Sequence, residues 1–360
     1  MKRYDTRDIR NVALVAHGGA GKTSLAEAII FDAKLTTRLG VAGTETSTFD
    51  YEPEEIKRQG TIQTSVGYAE WQKKKINFID TPGDQNFLVD ARVAMQVAAD
   101  AAIVVVSCPD GVQVVTEKVW QFAEELGLPR AIFINKMDRE RADWDACIAD
   151  IKKTLSEKAT PVQMPIGREG AFEGIIDLLL QKAYRFSDDG RDVKVEAVPA
   201  ALAGPVGKAR EKLVEDIASS DDALLEKYLG TGELTDDEVT RGLTKAIAAG
   251  TLIPILCGSA GRNLGIAQLL DLVASSFPSP DLRPPRNGVD GKGAPATRFA
   301  TDDAPFSARV FKTIGADIGK VSLCRILSGK LTADSNVLNT TRDSVERTGS
   351  LYALLGKRRD

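Results

Sequence analysis

The sequence predicts an α/β chain: a mostly parallel sheet with helices on both faces, an α+β insertion, and then an incomplete antiparallel β-barrel. Three observations point there. Five short apolar runs alternate with helical patterns in the first 280 residues, a glycine-rich turn joins the first run to its helix, and after residue 305 strand-like alternation continues with no helix between strands.

The first run, Val12–Ala16, reads as a buried strand, and a helix follows from Lys22 to about Ala33. Ile76–Ile79 is the second strand and leads into Thr81-Pro82-Gly83. Ala102–Ser107 is the third, with a helix over Thr116–Leu126, and Ala131–Ile134 is the fourth, with a helix over about Trp144–Lys158. Leu252–Leu256 is the fifth, with a helix over about Gly265–Ser275. Strands of four to six apolar residues suit a sheet covered on both faces. Between about 160 and 250 the rhythm changes to glycine-punctuated short strands (Val162–Phe186) and charged helices (about Gly207–Tyr228 and Thr235–Ala249). The fifth strand resumes only afterwards, so this stretch is read as an insertion in a domain spanning 1–280 rather than as a separate domain. Residues 281–304, rich in Pro, Gly and Asp, read as a linker. Residues 305–360 alternate apolar with polar, as in Ser307–Lys312 and Val321–Leu327, and read as a partial β-barrel.

Bulk properties exclude several classes. Apolar residues make up 43% and charged residues 27%, ordinary values for a globular protein, and the formal net charge is −4. No global basic field draws the chain to DNA or an anionic membrane, so neither is expected as a partner. Cys108, Cys147, Cys257 and Cys324 form no CxxC pair, which argues against a zinc site or disulfide framework and for a reducing compartment. The polar start, Met1–Asp8, lacks a signal core, and the apolar stretch Ala98–Cys108 is broken by Asp100 and too short for a span of about 20 residues. A monomeric cytoplasmic protein is expected.

Ala16-His17-Gly18-Gly19-Ala20-Gly21-Lys22-Thr23 matches a phosphate-binding loop with Ala in place of its first Gly, between a strand and a helix as that motif requires. Glycines let backbone N–H groups converge on phosphates, and the helix N-terminus adds its dipole. Lys22 would reach the β- and γ-phosphates and the Thr23 hydroxyl would ligate Mg²⁺, with Ser24 next in the turn. A dinucleotide fingerprint fits less well, because Lys22-Thr23 would stand where its glycine belongs. Asn135-Lys136-Met137-Asp138, at the end of the fourth strand, selects the base. The Asp138 carboxylate can accept from guanine N1–H and its exocyclic amine, whereas adenine would leave it unpaired. Asn135 would hold the loop and the O6/N7 edge of the base, and the Lys136 stem would cover the base face. Ser259 and Ala260, in Cys257-Gly258-Ser259-Ala260, can offer backbone N–H groups to O6.

Asp80-Thr81-Pro82-Gly83 ends the second strand. Asp80 would reach Mg²⁺ through water and the Gly83 N–H would face the γ-phosphate. Thr61 is the candidate second hydroxyl ligand, with Thr44, Thr46, Thr48 and Thr64 as neighbouring alternatives. The site thus implies GTP or GDP with Mg²⁺, Lys22, Thr61, Gly83 and Asp84 as catalytic candidates, and a P-loop GTPase fold. His17, the sole histidine, is read as packing.

With these motifs in place, the chain resembles the translational GTPases, and within them elongation factor G. The resemblance rests on residues 16–23, Asp80–Gly83, Gly111-Val112-Gln113, Ile134–Asp138 and Cys257–Ala260. Inside the insertion it rests on Pro165-Ile166-Gly167, Phe172–Asp177, Lys182-Ala183-Tyr184, Glu211–Glu215 and Leu224–Tyr228, where other translational GTPases match less well. Pro305–Ala308 and Gly319-Lys320 resemble the start of that factor's second domain. The resemblance implies GTP hydrolysis coupled to movement of tRNA and mRNA, with the ribosome as partner. Two positions depart from the family pattern: Asp84 stands where a water-positioning His is usual, and Gly19 where Asp is usual. An ionised Asp84 would be repelled by the γ-phosphate, so hydrolysis is expected to be slow, or Asp84 simply caps the next helix. The paralogous elongation-factor-G-like proteins vary at this His. The family's second domain also runs on past Lys357–Asp360 and is followed by three more, so a truncated chain is expected; a hydrolysis-poor switch and an unrelated P-loop ATPase or kinase are the competing readings.

Overall fold

The computed structural model describes residues 2–187, 190–316 and 319–359; Met1 and Asp360, part of the terminal segments read above, lie outside the described residues. Its first half alternates strand and helix. β1 (Ile9–Val15) leads to α1 (Lys22–Asp32), and after a long loop α2 (Pro53–Arg58) precedes the hairpin β2 (Ser65–Trp71) and β3 (Lys74–Asp80). α3 (Leu88–Val93) runs into a π turn at Ala94–Ala98, followed by β4 (Ala101–Ser107), α4 (Val114–Glu125), β5 (Arg130–Asn135) and α5 (Trp144–Thr154). β6 (Ala159–Pro161) comes next. Then come four strands, β7 (Gln163–Ile166), β8 (Gly174–Asp177), β9 (Lys182–Phe186) and β10 (Val193–Ala197), and three helices, α6 (Ala203–Ala218), α7 (Asp222–Thr231) and α8 (Asp236–Ala249). β11 (Ile253–Cys257) and α9 (Ile266–Ser276) return to the first rhythm.

The main sheet has seven strands in the order β2-β3-β1-β4-β5-β11-β6. All pair in parallel except β2, which joins β3 antiparallel. Apolar residues on both faces of the central strands explain why. Along β4, Ala101, Ile103 and Val105 enter one core while Ala102, Val104 and Val106 enter the other. α1 and α9 cover the first face through Leu25, Ile29, Leu269 and Val273, and α4 and α5 cover the second through Val119, Trp120, Cys147 and Ile151.

Register aligns the functional ends. Leu14 pairs with Asp80, Ser107 with Asn135, and Ile134 with Cys257, so the C-terminal ends of β1, β3, β5 and β11 share one edge. Ligands of open α/β sheets bind at that edge.

Some elements differ from expectation. The helix read over Gly207–Tyr228 is two, because the Asp221 carboxylate accepts from the N–H groups of Ala223 and Leu224 and so starts a new helix. β6, at the start of the stretch read as an insertion, belongs to the main sheet, while β7–β10 form a separate antiparallel sheet ordered β10-β9-β8-β7. Within 281–304, β12 (Arg286–Val289) and β13 (Pro295–Arg298) pair as a hairpin. The remaining strands form antiparallel ribbons: β14 (Ser307–Ala316) with β15 (Gly319–Ser328), β16 (Asn336–Asn339) with β17 (Ser344–Arg347), and β18 (Leu354–Leu355) with β19 (Arg358–Arg359). Among the described residues, no helix is long and apolar enough to cross a membrane.

Candidate nucleotide site

The loop between β1 and α1 is shaped by two left-handed glycines, Gly19 (φ 82°) and Gly21 (φ 97°). A Cβ on Gly21 would collide with the Asn135 carboxamide, so this position excludes other residues twice over. Gly18 and Gly19 are exposed at the crest, while Ala16, His17, Ala20, Lys22 and Thr23 are buried beneath it and Ser24 is half-buried. The first N–H groups of α1 lack intrahelical partners and point out of its N-terminus. Lys22 Nζ donates to the carbonyls of Ala16 (3.3 Å) and His17 (3.0 Å).

Thr23, Thr61, Asp80 and Asp50 converge beside this loop. Thr23 Oγ1 donates to Asp80 Oδ2 and lies 2.7 Å from Thr61 Oγ1, which donates to Asp50 Oδ1. Of the candidate threonines, Thr61 is therefore the one brought to Thr23. Asp80 is fully buried, and its Oδ1 has no hydrogen-bond partner. Burial pushes the Asp80 and Asp50 carboxyls up and the Lys22 ammonium down from their ordinary values. Hard oxygen donors, one of them orphaned, in a site crowded with buried acid suit Mg²⁺. Among the described residues, no cluster of three or more His, Cys, Asp or Glu could hold a metal ion. The set relies on hydroxyls and would need phosphate and water to complete it.

Thr81 Oγ1 bonds the Leu14 carbonyl, tying the turn after β3 to β1, and Pro82 is buried beside it. Gly83 packs so closely on Lys22 and the Gly18 N–H that no Cβ fits. Asp84 turns away: its exposed carboxylate accepts from the Asn86 N–H (2.8 Å) and side-chain amide (2.9 Å), capping the turn Gln85–Phe87. His17 packs as expected. Its Nδ1 lies 2.9 Å from Thr116 Oγ1, and burial beside Lys22 lowers its pKa to about 4.

The base-recognition loops hold together through Asn135. Its amide donates to the Ala20 carbonyl and its oxygen accepts from the Ala260 N–H, both at 2.9 Å. Asn135 is thus a brace between loops, made with one of its two amide hydrogens. The N–H groups expected to meet guanine O6 are also committed, that of Ser259 to the Leu264 carbonyl and that of Ala260 to Asn135. Buried N–H groups must be paired, and here the protein pairs them. The Met137 side chain lies in the core, and its N–H joins the Gly258 carbonyl. Lys136 adopts φ 63° with Nζ 3.5 Å from Asp110. Asp138 is half-buried, and no side-chain hydrogen bond or ion pair involves its carboxylate among the described residues.

Sequence reasoning missed three buried acids that shape the loop between α1 and β2. Glu27 accepts from Ser47 Oγ and the Thr48 N–H, Asp50 from the Gly43 N–H and Thr61, and Glu55 from the N–H groups of Ile62 and Gln63. Glu27 carried a signal, as a lone charge inside the apolar run Leu25–Phe31. Asp50 and Glu55 lie in a polar stretch where nothing local marks a buried acid.

Fold and site together define a P-loop GTPase domain. The model of the elongation factor Tu GTP binding domain matches residues 7–279, most of the chain, and the chain belongs to that family. A solved structure from Thermus thermophilus is similar over 98% of this chain, at 31% identity and a TM-score of 0.85. The match covers 50% of that protein, so the chain spans about half its length.

Proposed function

We propose that this cleft binds GTP or GDP with Mg²⁺ and that GTP hydrolysis here serves translation on the ribosome, in the cytoplasm, in the manner of elongation factor G. The meeting of Thr23, Thr61 and Asp80 beside a phosphate loop supports it most. Bound Mg²⁺ would supply charge neutralisation at the phosphates. Thr23 and Thr61 would hold it by their hydroxyls and Asp80 through water, while Lys22 exchanges its two carbonyl partners for phosphate oxygens. Asp138 would select guanine by accepting from N1–H and the amino group. Residues 1–280 would be the nucleotide domain, 281–304 its connection and 305–360 part of a second domain.

A second reading, a hydrolysis-poor switch that binds the ribosome without driving translocation, is favoured by Asp84. A carboxylate that already accepts two hydrogen bonds in capping a turn is committed as an acceptor rather than aimed at water or the γ-phosphate. Single-turnover GTP hydrolysis with and without ribosomes, for this chain and for Asp84→His, separates the two. A gain of about tenfold or more in the variant, one pKa-unit equivalent of barrier, is expected if residue 84 positions the attacking water. An unchanged rate leaves Asp84 as a cap, and no response to ribosomes in either protein contradicts the translation reading.

A further inference from the structure

Thr61 meets Thr23 only if the segment from Thr48 to Val66 keeps its path, and residues from the β ribbons fasten that segment near both ends. On β14 the register shifts between Val310 and Lys312, so Phe311 has no partner on β15. Such a bulge re-aims neighbouring side chains. Phe311 packs against the core on the α4–α5 face of the main sheet, and Lys312 Nζ donates to the Thr64 carbonyl at 2.5 Å. Beyond β18, the Gly356 N–H donates to the Val66 carbonyl at 3.0 Å. Gly356 is left-handed (φ 58°) and lies so close to the Thr48 carbonyl that no Cβ fits. Leu355 beside it is 1% exposed, in the same apolar cluster as Phe49 and Phe78.

We propose that Lys312 is a positioning residue for the triphosphate state: its bond to the Thr64 carbonyl sets Thr61 against Thr23, and Gly356 braces the same segment at Val66 and packs against Thr48. The inference rests on the proposed role of Thr61 toward Mg²⁺ and a γ-phosphate. GDP binding depends on the phosphate loop and Asp138, which these contacts do not touch. A hydrogen bond from a charged donor to a carbonyl, lost when the segment must be ordered, is worth about a tenfold change in affinity or more. Lys312→Met keeps the stem and removes the donor, and Lys312→Arg keeps the charge and restores donors.

The test measures dissociation constants for fluorescent GDP and for a non-hydrolysable β,γ-imido GTP analogue, with Mg²⁺, on the full chain. Lys312→Met should bind the analogue about tenfold more weakly and GDP within about twofold of the parent. Lys312→Arg should recover most of the loss, and Gly356→Ala should show the same split. The preserved GDP affinity shows that the variants are folded. Equal losses for both nucleotides in Lys312→Met and Gly356→Ala, or no loss in either, overturn the inference alone. A parent chain that binds neither nucleotide overturns the proposed function and this inference with it.

Discussion

His17 shows how much of the site is set by a single side chain's surroundings. It lies in the phosphate loop, held by Thr116 and close to Lys22, and its pKa falls from 6.5 to about 4. Between those values the unfolded chain takes up a proton that the folded chain refuses, so this residue's contribution to stability declines as pH drops from about 6.5 toward 4. The shift corresponds to roughly 3 kcal/mol at its limit. Glu27, Asp50 and Glu55 have carboxyls raised by burial and act in the opposite sense, so the effect is read as a difference. Urea unfolding across that pH range should show the parent losing up to roughly 3 kcal/mol relative to His17→Gln, whereas parallel profiles would contradict the assignment. At this scale the sequence was most legible where chemistry demands one residue type at one spacing, as with Thr23, Thr61 and Asp80, which the fold brings together. It was least legible where the backbone decides: the Ser259 and Ala260 N–H groups, expected to meet guanine O6, pair in this structure with the Leu264 carbonyl and the Asn135 side chain.

Among the elements, β1, β3, β4, β5 and β11 were readable because each carries apolar residues that enter both cores. β2 was not, since Ser65–Trp71 alternates with Gly and Glu and depends on pairing with β3 for its definition. α2 escaped too: six residues carry little periodicity, and its start rests on a reciprocal Glu52–Glu55 box rather than on Ser or Thr. What joins these elements at the site is Asn135, 1% exposed, which bridges the loop after β1 to the loop after β11. Asn135→Ala would orphan the Ala20 carbonyl and the Ala260 N–H, each at roughly 1–3 kcal/mol. A loss of roughly 2–5 kcal/mol in denaturant unfolding, with nucleotide affinity falling alongside, is expected. A loss below about 1 kcal/mol would mean that the brace is replaceable.

On the scale of the whole molecule, the ribbons after residue 305 are tied to the sheet by a few polar fasteners set in apolar surroundings. The Arg325 fork bonds both oxygens of Asp100, 3.0 and 2.7 Å away, and also the Ala98 carbonyl, while Asp100 accepts from Asn11. A buried acid so fully satisfied fixes geometry more than it adds stability. Asp100 had been read only as an interruption in an apolar stretch, because its partner lies 225 residues away and no local pattern reports so distant a pairing. Through Lys312 and Gly356 the same ribbons hold the segment that carries Thr61, which places the nucleotide cleft and the ribbons in one mechanical unit. That unit has a purpose only if the cleft takes a guanine nucleotide. Isothermal calorimetry of the full chain with GTP, GDP and ATP in Mg²⁺ buffer tests this most directly. The account predicts binding of both guanine nucleotides, with ATP weaker by a factor on the order of 100 or more, because adenine leaves the Asp138 carboxylate unpaired. Comparable affinities for ATP and GTP, or heat from neither, would contradict it.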